Sequence, residues 1–474
     1  MSALGVPRLR AAAPDGFKSD LLPSQHEIWD QQKWMAQLGP KYTGNKAHTE
    51  FVDFLARSMT SFGLEVQRDR YTLPRWEVGP GDRVRLERVE AAGEGGGSKP
   101  SGSFPISSYF PYSGETSTSG VTGELVYAGT HPKPDLSAVN GRIALVDFAV
   151  NARDWSHLYT PWAIHPAGES FPSVVRPARA AISDLTPFHK AGAIGVVIAW
   201  TDVSDENARD QYTPFSRPPQ GIPGVYVDRS TGVKLREHAA RRDTFTLTLT
   251  ATVTPDTPTD TVIAVLPGAG DEVVILNTHT DGPNATEENG ALGLLALAKY
   301  FSKIPKAQRR RTLVFPMTTG HFAGPWVPSI RGFIEKHPDL VKRAVAAVTV
   351  EHLGCREWLD VAPDHYAATG KNEWSVAITP NAGMAKALAD SLDGSLDRAA
   401  VVNPVNGGFL GEGNSLSRAG IPTIGYIPQP NYLLAAPADA CISKMSPELM
   451  HSQITVFAKL VHQINGLSAA ELKG

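Results

Sequence analysis

The chain contains little cysteine and no long apolar segment. Its 474 residues include two cysteines, Cys355 and Cys441, which cannot form a disulfide framework and lack the paired spacing of zinc-binding cysteines. No apolar run approaches the ~20 residues that a membrane-spanning helix needs. The first residues also lack the apolar stretch of a secretory signal peptide. We therefore expect a soluble protein with structural free thiols, and its compartment stays open.

The chain also lacks a charge excess of either sign. It has 45 Lys and Arg against 48 Asp and Glu, a formal charge of -3, which excludes bulk attraction to nucleic acids or anionic membranes. We expect neither as a partner, and instead a small-molecule or peptide-like substrate. No internal repeat is present. A chain of this length predicts two folded units, and the oligomeric state stays open.

The hydrophobic pattern predicts an α/β fold. Short apolar runs, VVILN, TLVFPM, AVAAVTV and PTIGYI, alternate with longer helical patterns such as LGLLALAKYF. This alternation is typical of a mainly parallel sheet between two layers of helices. Apolar residues at helical spacing from Ala47 to Phe62 and from Met450 to Ile464 predict two further packed helices.

Two polar segments predict domain boundaries. Residues 92–103 are rich in glycine and serine and read as a surface loop, and prolines and threonines interrupt strand-like runs at residues 254–260. We therefore predict a discontinuous α/β domain of residues 20–103 and 256–474, with a β-rich insert at residues 104–255.

A loop of the predicted insert is crowded with aromatic residues and histidines. It contains Trp155, His157, Tyr159, Trp162 and His165. Such a loop can cover a substrate pocket. The alternative is that the rings pack the loop onto the protein surface.

A possible site begins just after the apolar run VVILN, where His279 and Asp281 stand two residues apart. Ligands collect at the carboxyl ends of strands in open parallel sheets. A carboxylate at this spacing can accept the second ring N–H of a histidine and raise its basicity as a metal ligand. The alternative is a capped loop end, because a lone pair of this kind is common by chance.

These motifs together resemble the co-catalytic zinc aminopeptidase family, which also includes glutamate carboxypeptidase and the transferrin receptor. The segments VIAVLPGAGDEVVILNTHTDG, VTVEHLG and SRAGIPTIGYI are similar to the family's core strands. NGRIALVDF, PFHKAGAIGVVIAW and GIPGVYVD resemble the protease-associated domain that many members carry as an insert. The resemblance implies a zinc exopeptidase-like three-layer α/β sandwich with this insert.

The resemblance also implies positions for metal ligands. Family members hold two zinc ions with one bridging carboxylate, two further carboxylates and two histidines. His279 matches the first histidine and Asp281 its orienting partner. In NATEENG, Glu287 or Glu288 takes the place of the bridging aspartate, and Glu351 takes the place of a ligand aspartate.

Several family positions are changed in this chain. Thr318 and Thr319 stand where the family has its catalytic base and a ligand glutamate, and Ala435 stands at the second histidine. A hydroxyl cannot replace a carboxylate as a base at neutral pH. We therefore expect one zinc or other divalent ion rather than two. The predicted ligands are His279, Glu287, Glu288 and Glu351.

Three other residues are considered as replacements. His321 follows a strand end and is a candidate ligand or catalytic residue. His352 is predicted to alternate to the opposite face of its strand from Glu351 and to lie in the core. Glu412 is predicted to be a loop carboxylate. The candidate catalytic residues are Asp281, Glu288, Thr318, Thr319 and His321.

Three functions follow from these residues. The first is a hydrolase of peptide-like or other amide substrates with a reduced or rebuilt metal site. The second is a non-catalytic binding protein that keeps the fold and the pocket. The third is metal-free catalysis in which His279, held by Asp281, acts as a base, assisted by Thr318 or Thr319.

Overall fold

A computed structural model of the chain defines the fold. It describes residues 13–79, 81–90, 99–149, 153–154, 157–171, 174–175, 184–211, 218–362, 364–405 and 408–474. Trp155 of the aromatic segment and residues 92–98 of the predicted surface loop lie outside these ranges.

The described residues form strands that we number along the chain. They are β1 (Glu65–Val78), β2 (Val84–Glu90), β3 (Lys99–Phe104), β4 (Ser108–Tyr109), β5 (Val121–Thr130), β6 (Ile143–Phe148), β7 (Arg153–Asp154), β8 (Tyr159–His165), β9 (Val174–Val175), β10 (Gly195–Trp200), β11 (Gly224–Val227), β12 (Thr244–Leu249), β13 (Ala251–Leu266), β14 (Val273–His279), β15 (Thr312–Thr318), β16 (Ala344–Val350), β17 (Arg356–Ala362), β18 (His365–Asn372), β19 (Trp374–Ile378), β20 (Arg398–Pro404) and β21 (Thr423–Pro428).

The helices are numbered in the same way. They are α1 (Gln25–Gln37), α2 (Lys46–Ser61), α3 (Thr186–Lys190), α4 (Asp205–Ala208), α5 (Arg229–Arg241), α6 (Gly290–Ser302), α7 (Ile330–Lys336), α8 (Pro338–Arg343), α9 (Ala382–Leu392), α10 (Gly413–Arg418), α11 (Pro447–Gly466) and α12 (Ala469–Lys473). Short 3₁₀ turns lie at Ser19–Leu21, Lys306–Gln308 and Ile442–Lys444. No helix in the described ranges is both long and apolar enough to span a bilayer.

The larger sheet has the strand order β1-β13-β15-β14-β16-β21-β19-β20-β8. Its centre is parallel, because β14 pairs in parallel with β15 and β16, and β16 pairs in parallel with β21. The predicted α/β fold with a mainly parallel central sheet is confirmed. The four apolar runs that predicted these strands all fall on β14, β15, β16 and β21.

Helices cover both faces of this sheet. Along β14, Val274 and Leu276 pack in the core cluster that contains α2, α6 and α11. Val273 and Ile275 face the other way, into a cluster with α7 and α10. Both sets are fully buried, as expected for a strand of a parallel sheet that is covered on each side.

A second sheet has the order β3-β2-β12-β5-β6-β10-β11-β4. Its parallel core of β5, β6 and β10 comes from the predicted insert. Strand β2 precedes the predicted boundary at residue 104 and β3 ends at it, and both join this sheet. Residues 99–103 were predicted to be loop and form most of β3, because they pair with β2. The predicted boundary at residue 256 lies inside the continuous strand β13.

The aromatic segment of the predicted insert contributes to the larger sheet. Residues 159–165 form β8, which pairs antiparallel with β20 at the sheet edge. Trp162 donates its indole N–H to the carbonyl of Thr379 at 2.9 Å. The described part of this segment is therefore an edge strand, and the side chains of Tyr159 and Ile164 pack in a core cluster with β19 and β20.

Candidate functional site

The candidate site lies at the carboxyl ends of three adjacent parallel strands. His279 ends β14, Thr318 ends β15, and Glu351 follows β16. Parallel pairing brings these ends to one edge of the sheet. His321, His352 and Glu287 also reach this edge, and two triads have ligand atoms within 4.8 Å of one another. The triads are His279, Glu287 and His321, and His279, Glu351 and His352.

His279 is the residue that both triads share. Its Nδ1 lies 2.9 Å from the main-chain oxygen of Asp281, which fixes that nitrogen as the N–H donor. The Nε2 atom is buried and has no hydrogen-bond partner in the part of the chain that the structure describes. Burial, followed by the nearby charge of His321, lowers the pKa of His279. A neutral ring with its lone pair facing the site is the form that binds a metal.

Two carboxylates face the His279 ring. Glu287 approaches it with Oε1 at 4.0 Å from Nε2, and the other oxygen, Oε2, is directed toward His352. Glu351 is also buried, and its Oε1 accepts a hydrogen bond from the main-chain N–H of Glu412 at 3.0 Å. The structure thus brings together three of the four predicted ligands.

His352 lies in the site, so its predicted position on the opposite face is wrong. Strand β16 ends at Val350, and His352 has a left-handed backbone with φ 57°. The simple alternation of a strand therefore no longer applies. The Nε2 atom of His352 lies 3.1 Å from Glu287 Oε2 and 3.8 Å from Glu351 Oε2.

Asp281 holds the surrounding loops, and its predicted contact with the His279 ring is replaced by others. Its carboxylate accepts hydrogen bonds from the hydroxyl of Thr43 at 2.6 Å and from the main-chain N–H groups of Gly320, His321 and Phe322 at 3.0 to 3.2 Å. The ring contact comes from the main-chain oxygen of Asp281. This argues against a His–Asp base of the metal-free type.

Glu288 is directed toward a lysine. Lys41 Nζ lies 2.6 Å from Glu288 Oε1, and both side chains are fully buried. The ammonium group also donates to the main-chain oxygens of Met35 and Gly39. Burial raises the pKa of Glu288 to about 7 although Lys41 opposes the shift. Glu288, predicted as a ligand and a catalytic residue, is instead the counterion of Lys41.

The hydroxyl groups of Thr318 and Thr319 form hydrogen bonds with neighbouring strands. Thr319 Oγ1 lies 2.5 Å from Thr259 Oγ1 on β13. Thr318 donates to the main-chain oxygen of Thr278 at 3.2 Å and lies 3.3 Å from the Glu412 carboxylate. These contacts match the alternative in which the hydroxyls terminate a strand.

The partly exposed His321 and the buried Glu412 form a pair beside His279. The two imidazole rings of His279 and His321 stack with centroids 4.1 Å apart, and His321 Nδ1 lies 2.7 Å from Glu412 Oε1. Burial alone would lower the pKa of His321, but the hydrogen bond and charge of Glu412 raise it to about 10. Burial would raise the pKa of Glu412, but His321 lowers it to about 2.

Glu412 contributes more to the site than its predicted role as a loop carboxylate. It stands just before α10, and its Oε2 accepts from Ser329 Oγ at 2.9 Å and from the Ile330 N–H at 3.2 Å. The Glu412 carboxylate also contacts Thr318. A carboxylate therefore lies next to the position where the resemblance expects a glutamate. The only sequence signal was an acidic residue between two glycines ahead of a short helix.

The segment around Ala435 closes one side of the site. Asn284 donates to the main-chain oxygens of Leu433 and Ala435 at 2.7 Å, and its own oxygen accepts from the Glu287 N–H at 3.1 Å. Ala435 is buried beside Tyr432 and Cys441, so it offers no donor atom where the resemblance expects a histidine. His321, with 18% of its side chain exposed, is the most accessible residue of the two triads.

Comparison with known proteins gives the same fold. No family model matches the chain, and no curated protein does either. A zinc aminopeptidase from Bacillus subtilis has a TM-score of 0.65 and 16% identity, covering 95% of this chain and 98% of that one. A peptidase M28 precursor from Shewanella amazonensis SB2B has a TM-score of 0.63 and 16% identity, covering 94% and 98%.

The aminopeptidase from Aneurinibacillus sp. strain AM-1 has a TM-score of 0.59 and 18% identity, and 93% of each chain is covered. Identities this low show the fold and leave the activity of this chain to its own residues. The resemblance read from the sequence motifs is confirmed at that level: the chain has the fold of the zinc aminopeptidases.

Proposed function

We propose that this protein is a metal-dependent hydrolase of peptide-like or other amide substrates that uses one divalent ion. The observation that supports this most is the buried Nε2 of His279, which has no hydrogen-bond partner within the described residues and faces Glu287 Oε1 at 4.0 Å. A buried polar atom without a partner costs about 1–3 kcal/mol. A bound cation would satisfy the His279 nitrogen and share the Glu287 carboxylate, so the donor set fits a metal ion.

His279, Glu287 and Glu351 would hold this ion. An imidazole with carboxylates suits zinc and similar divalent ions, and such an ion polarises a carbonyl and lowers the pKa of its water. A second ion of the family type is not proposed. The second ion would need ligands at the positions of Thr319 and Ala435. The Thr319 hydroxyl is hydrogen-bonded to Thr259, and the side chain of Ala435 is a buried methyl group.

His321 would transfer the proton in the reaction. Its ring stacks on His279, and Glu412 holds its Nδ1, so the carboxylate orients the ring beside the proposed ion. A histidine oriented by a carboxylate is a common general acid–base pair. This assignment gives the site the proton-transfer group that Thr318 cannot supply.

The substrate would enter past His321, since the other residues of the two triads are buried. Phe322, Leu433 and Leu434 form a small apolar cluster beside this point. Such an approach suits a small amide or the end of a peptide better than the middle of a folded chain. The aminopeptidases with the same fold make aminoacyl amides the first substrates to examine.

The experiment is a turnover assay of the zinc-loaded full chain with a panel of aminoacyl and other amides. We expect hydrolysis that is lost in a His321→Ala variant and in the metal-free protein. A His337→Gln variant serves as the control, because His337 pairs with Asp69 outside the site. Bound metal with no turnover of any amide would favour the second candidate function, a non-catalytic binding protein. That candidate is supported by Thr318, which stands where the resemblance expects a carboxylate.

A further inference from the structure

We propose that His352 is a direct ligand of the divalent ion, so that His279, His352 and the carboxylates of Glu287 and Glu351 form one mononuclear centre. The inference deepens the proposed function, since it concerns the same ion. His352 does not stand at any position where the resemblance expects a ligand.

The two histidines have the same tautomer. His279 Nδ1 lies 2.9 Å from the Asp281 main-chain oxygen, and His352 Nδ1 lies 2.6 Å from the Pro428 main-chain oxygen. A carbonyl oxygen only accepts, so each Nδ1 carries the hydrogen. Metal-bound histidines commonly have one ring N–H held in this way, with the other nitrogen on the metal.

The remaining ring nitrogens of His279 and His352 point toward the Glu287 carboxylate. His279 Nε2 and His352 Nε2 are both buried, and the first has no hydrogen-bond partner among the residues described. Glu287 lies between them, 4.0 Å from the first and 3.1 Å from the second. The two rings are inclined at 70° with centroids 6.3 Å apart, so they approach the same carboxylate from different directions.

The backbone at His352 is in the left-handed region. A non-glycine residue in the left-handed region costs roughly 1–2 kcal/mol, and such strain concentrates at functional sites. The turn at His352, with φ 57°, is held by its neighbours, because Leu353 exchanges two hydrogen bonds with the Asn289 side chain at 2.8 Å. The fold thus maintains an unfavourable conformation that turns this ring into the site.

One alternative arrangement uses the same contacts without a metal. A protonated His352 would form an ion pair with Glu287 and would leave His279 alone with the carboxylates. The two arrangements differ in the number of imidazoles around a bound ion. Two imidazoles would favour zinc and other first-row transition ions over magnesium and calcium, which prefer oxygen ligands.

The first test needs no substitution. X-ray absorption of the zinc-loaded full chain measures the number of imidazole rings on the ion. We expect two imidazoles with oxygen ligands completing the shell. A single imidazole would overturn the assignment of His352 while leaving the proposed hydrolase intact.

The second test measures zinc affinity by competition with a chelator in a His352→Gln variant and in the His337→Gln control. We expect the first to weaken binding by more than ~100-fold, since loss of an outer-shell partner alone costs ~10–100-fold, and the second to leave it unchanged. Equal affinity in both variants would overturn this inference alone. No zinc binding by the unmodified chain would overturn the proposed function as well.

Discussion

At the scale of single residues, the pair of His321 and Glu412 shows how a distant segment supplies chemistry that a strand end lacks. The hydroxyl of Thr318 lies within 3.3 Å of the Glu412 carboxylate, so the acidic group reaches the end of β15 from the loop before α10. The Glu412 carboxylate in turn orients the His321 ring at 2.7 Å.

This pair gives the metal-free protein a defined pH dependence. The pKa of His321 is raised from 6.5 to about 10, so its contribution to the free energy of unfolding is complete below its unfolded value and is lost as the pH rises toward about 10. The pKa of Glu412 is lowered from 4.5 to about 2, so its contribution is lost only as the pH falls through that range.

We expect a Glu412→Gln variant to lose the decline in stability between pH 7 and about 10, because its His321 no longer gains from a carboxylate. Denaturant unfolding of the metal-free protein at several pH values measures this. A Ser329→Ala control removes one hydrogen bond to Glu412 and should lower stability nearly equally across that range. A parallel decline in the wild type and Glu412→Gln would contradict the pairing.

The buried pair of Lys41 and Glu288 gives a second prediction. A Lys41→Met substitution leaves a buried carboxylate without its counterion and should destabilise the protein by about 3–5 kcal/mol. Adding Glu288→Leu should restore most of that stability, since apolar pairs often replace buried ion pairs without loss. Urea unfolding measures both. A fully stable single variant would show that this contact, at 2.6 Å, carries no energetic weight.

At the scale of elements, the site depends on the close approach of α6 to the strand ends. Gly290 begins α6, and a Cβ there would lie 2.0 Å from the Val350 main-chain oxygen and 2.4 Å from Thr278 Oγ1. No side chain fits in this space. The close contact fixes the loop that carries Glu287 against the end of β16.

A Gly290→Ala substitution should therefore lower stability by at least about 1–3 kcal/mol, the usual cost of overpacking, and weaken metal binding. Gly466, at the end of α11, would meet nothing within 4 Å, so Gly466→Ala is the matched control and should be nearly neutral. Thermal unfolding and zinc affinity of the two variants measure the difference. Equal behaviour would contradict the tight packing at Gly290.

The strands and the residues that follow them differ in how well the sequence predicts them. Apolar runs predicted β14, β15, β16 and β21, because a strand buried on both faces must be apolar throughout. The position of His352 was missed since alternation holds only while the strand continues, and β16 ends at Val350. Lys41 was missed because a charged residue gives no local sign that it will be buried against Glu288.

At the scale of the whole molecule, the two sheets share chain segments more than the sequence predicted. Strands β2 and β3 cross into the second sheet, and β8 returns to the edge of the first. The second-sheet unit also reaches the site, where Gln211 forms a bridge with Ala435 and Asp210 accepts from the Ala436 N–H at 3.0 Å. Sheet membership depends on pairing between distant segments, which composition does not reveal.

Residues of both sheet units contact the segment around Ala435, which borders the site. Asn284 donates a hydrogen bond to the main-chain oxygen of Ala435, and Gln211 of the second-sheet unit forms a β-bridge with the same residue. Because main-chain oxygens fix the rings of His279 and His352, the ion that we propose would meet two histidines that are already oriented.

The most direct measurement is the metal content of the full chain, purified without chelators or a polyhistidine tag and analysed by mass spectrometry beside a His279→Ala variant. We expect about one zinc or other transition ion per chain, lost in the variant and retained in Glu288→Gln, since Glu288 faces Lys41. Absence of metal from the unmodified chain after incubation with zinc would contradict a metal centre at His279, Glu287 and Glu351.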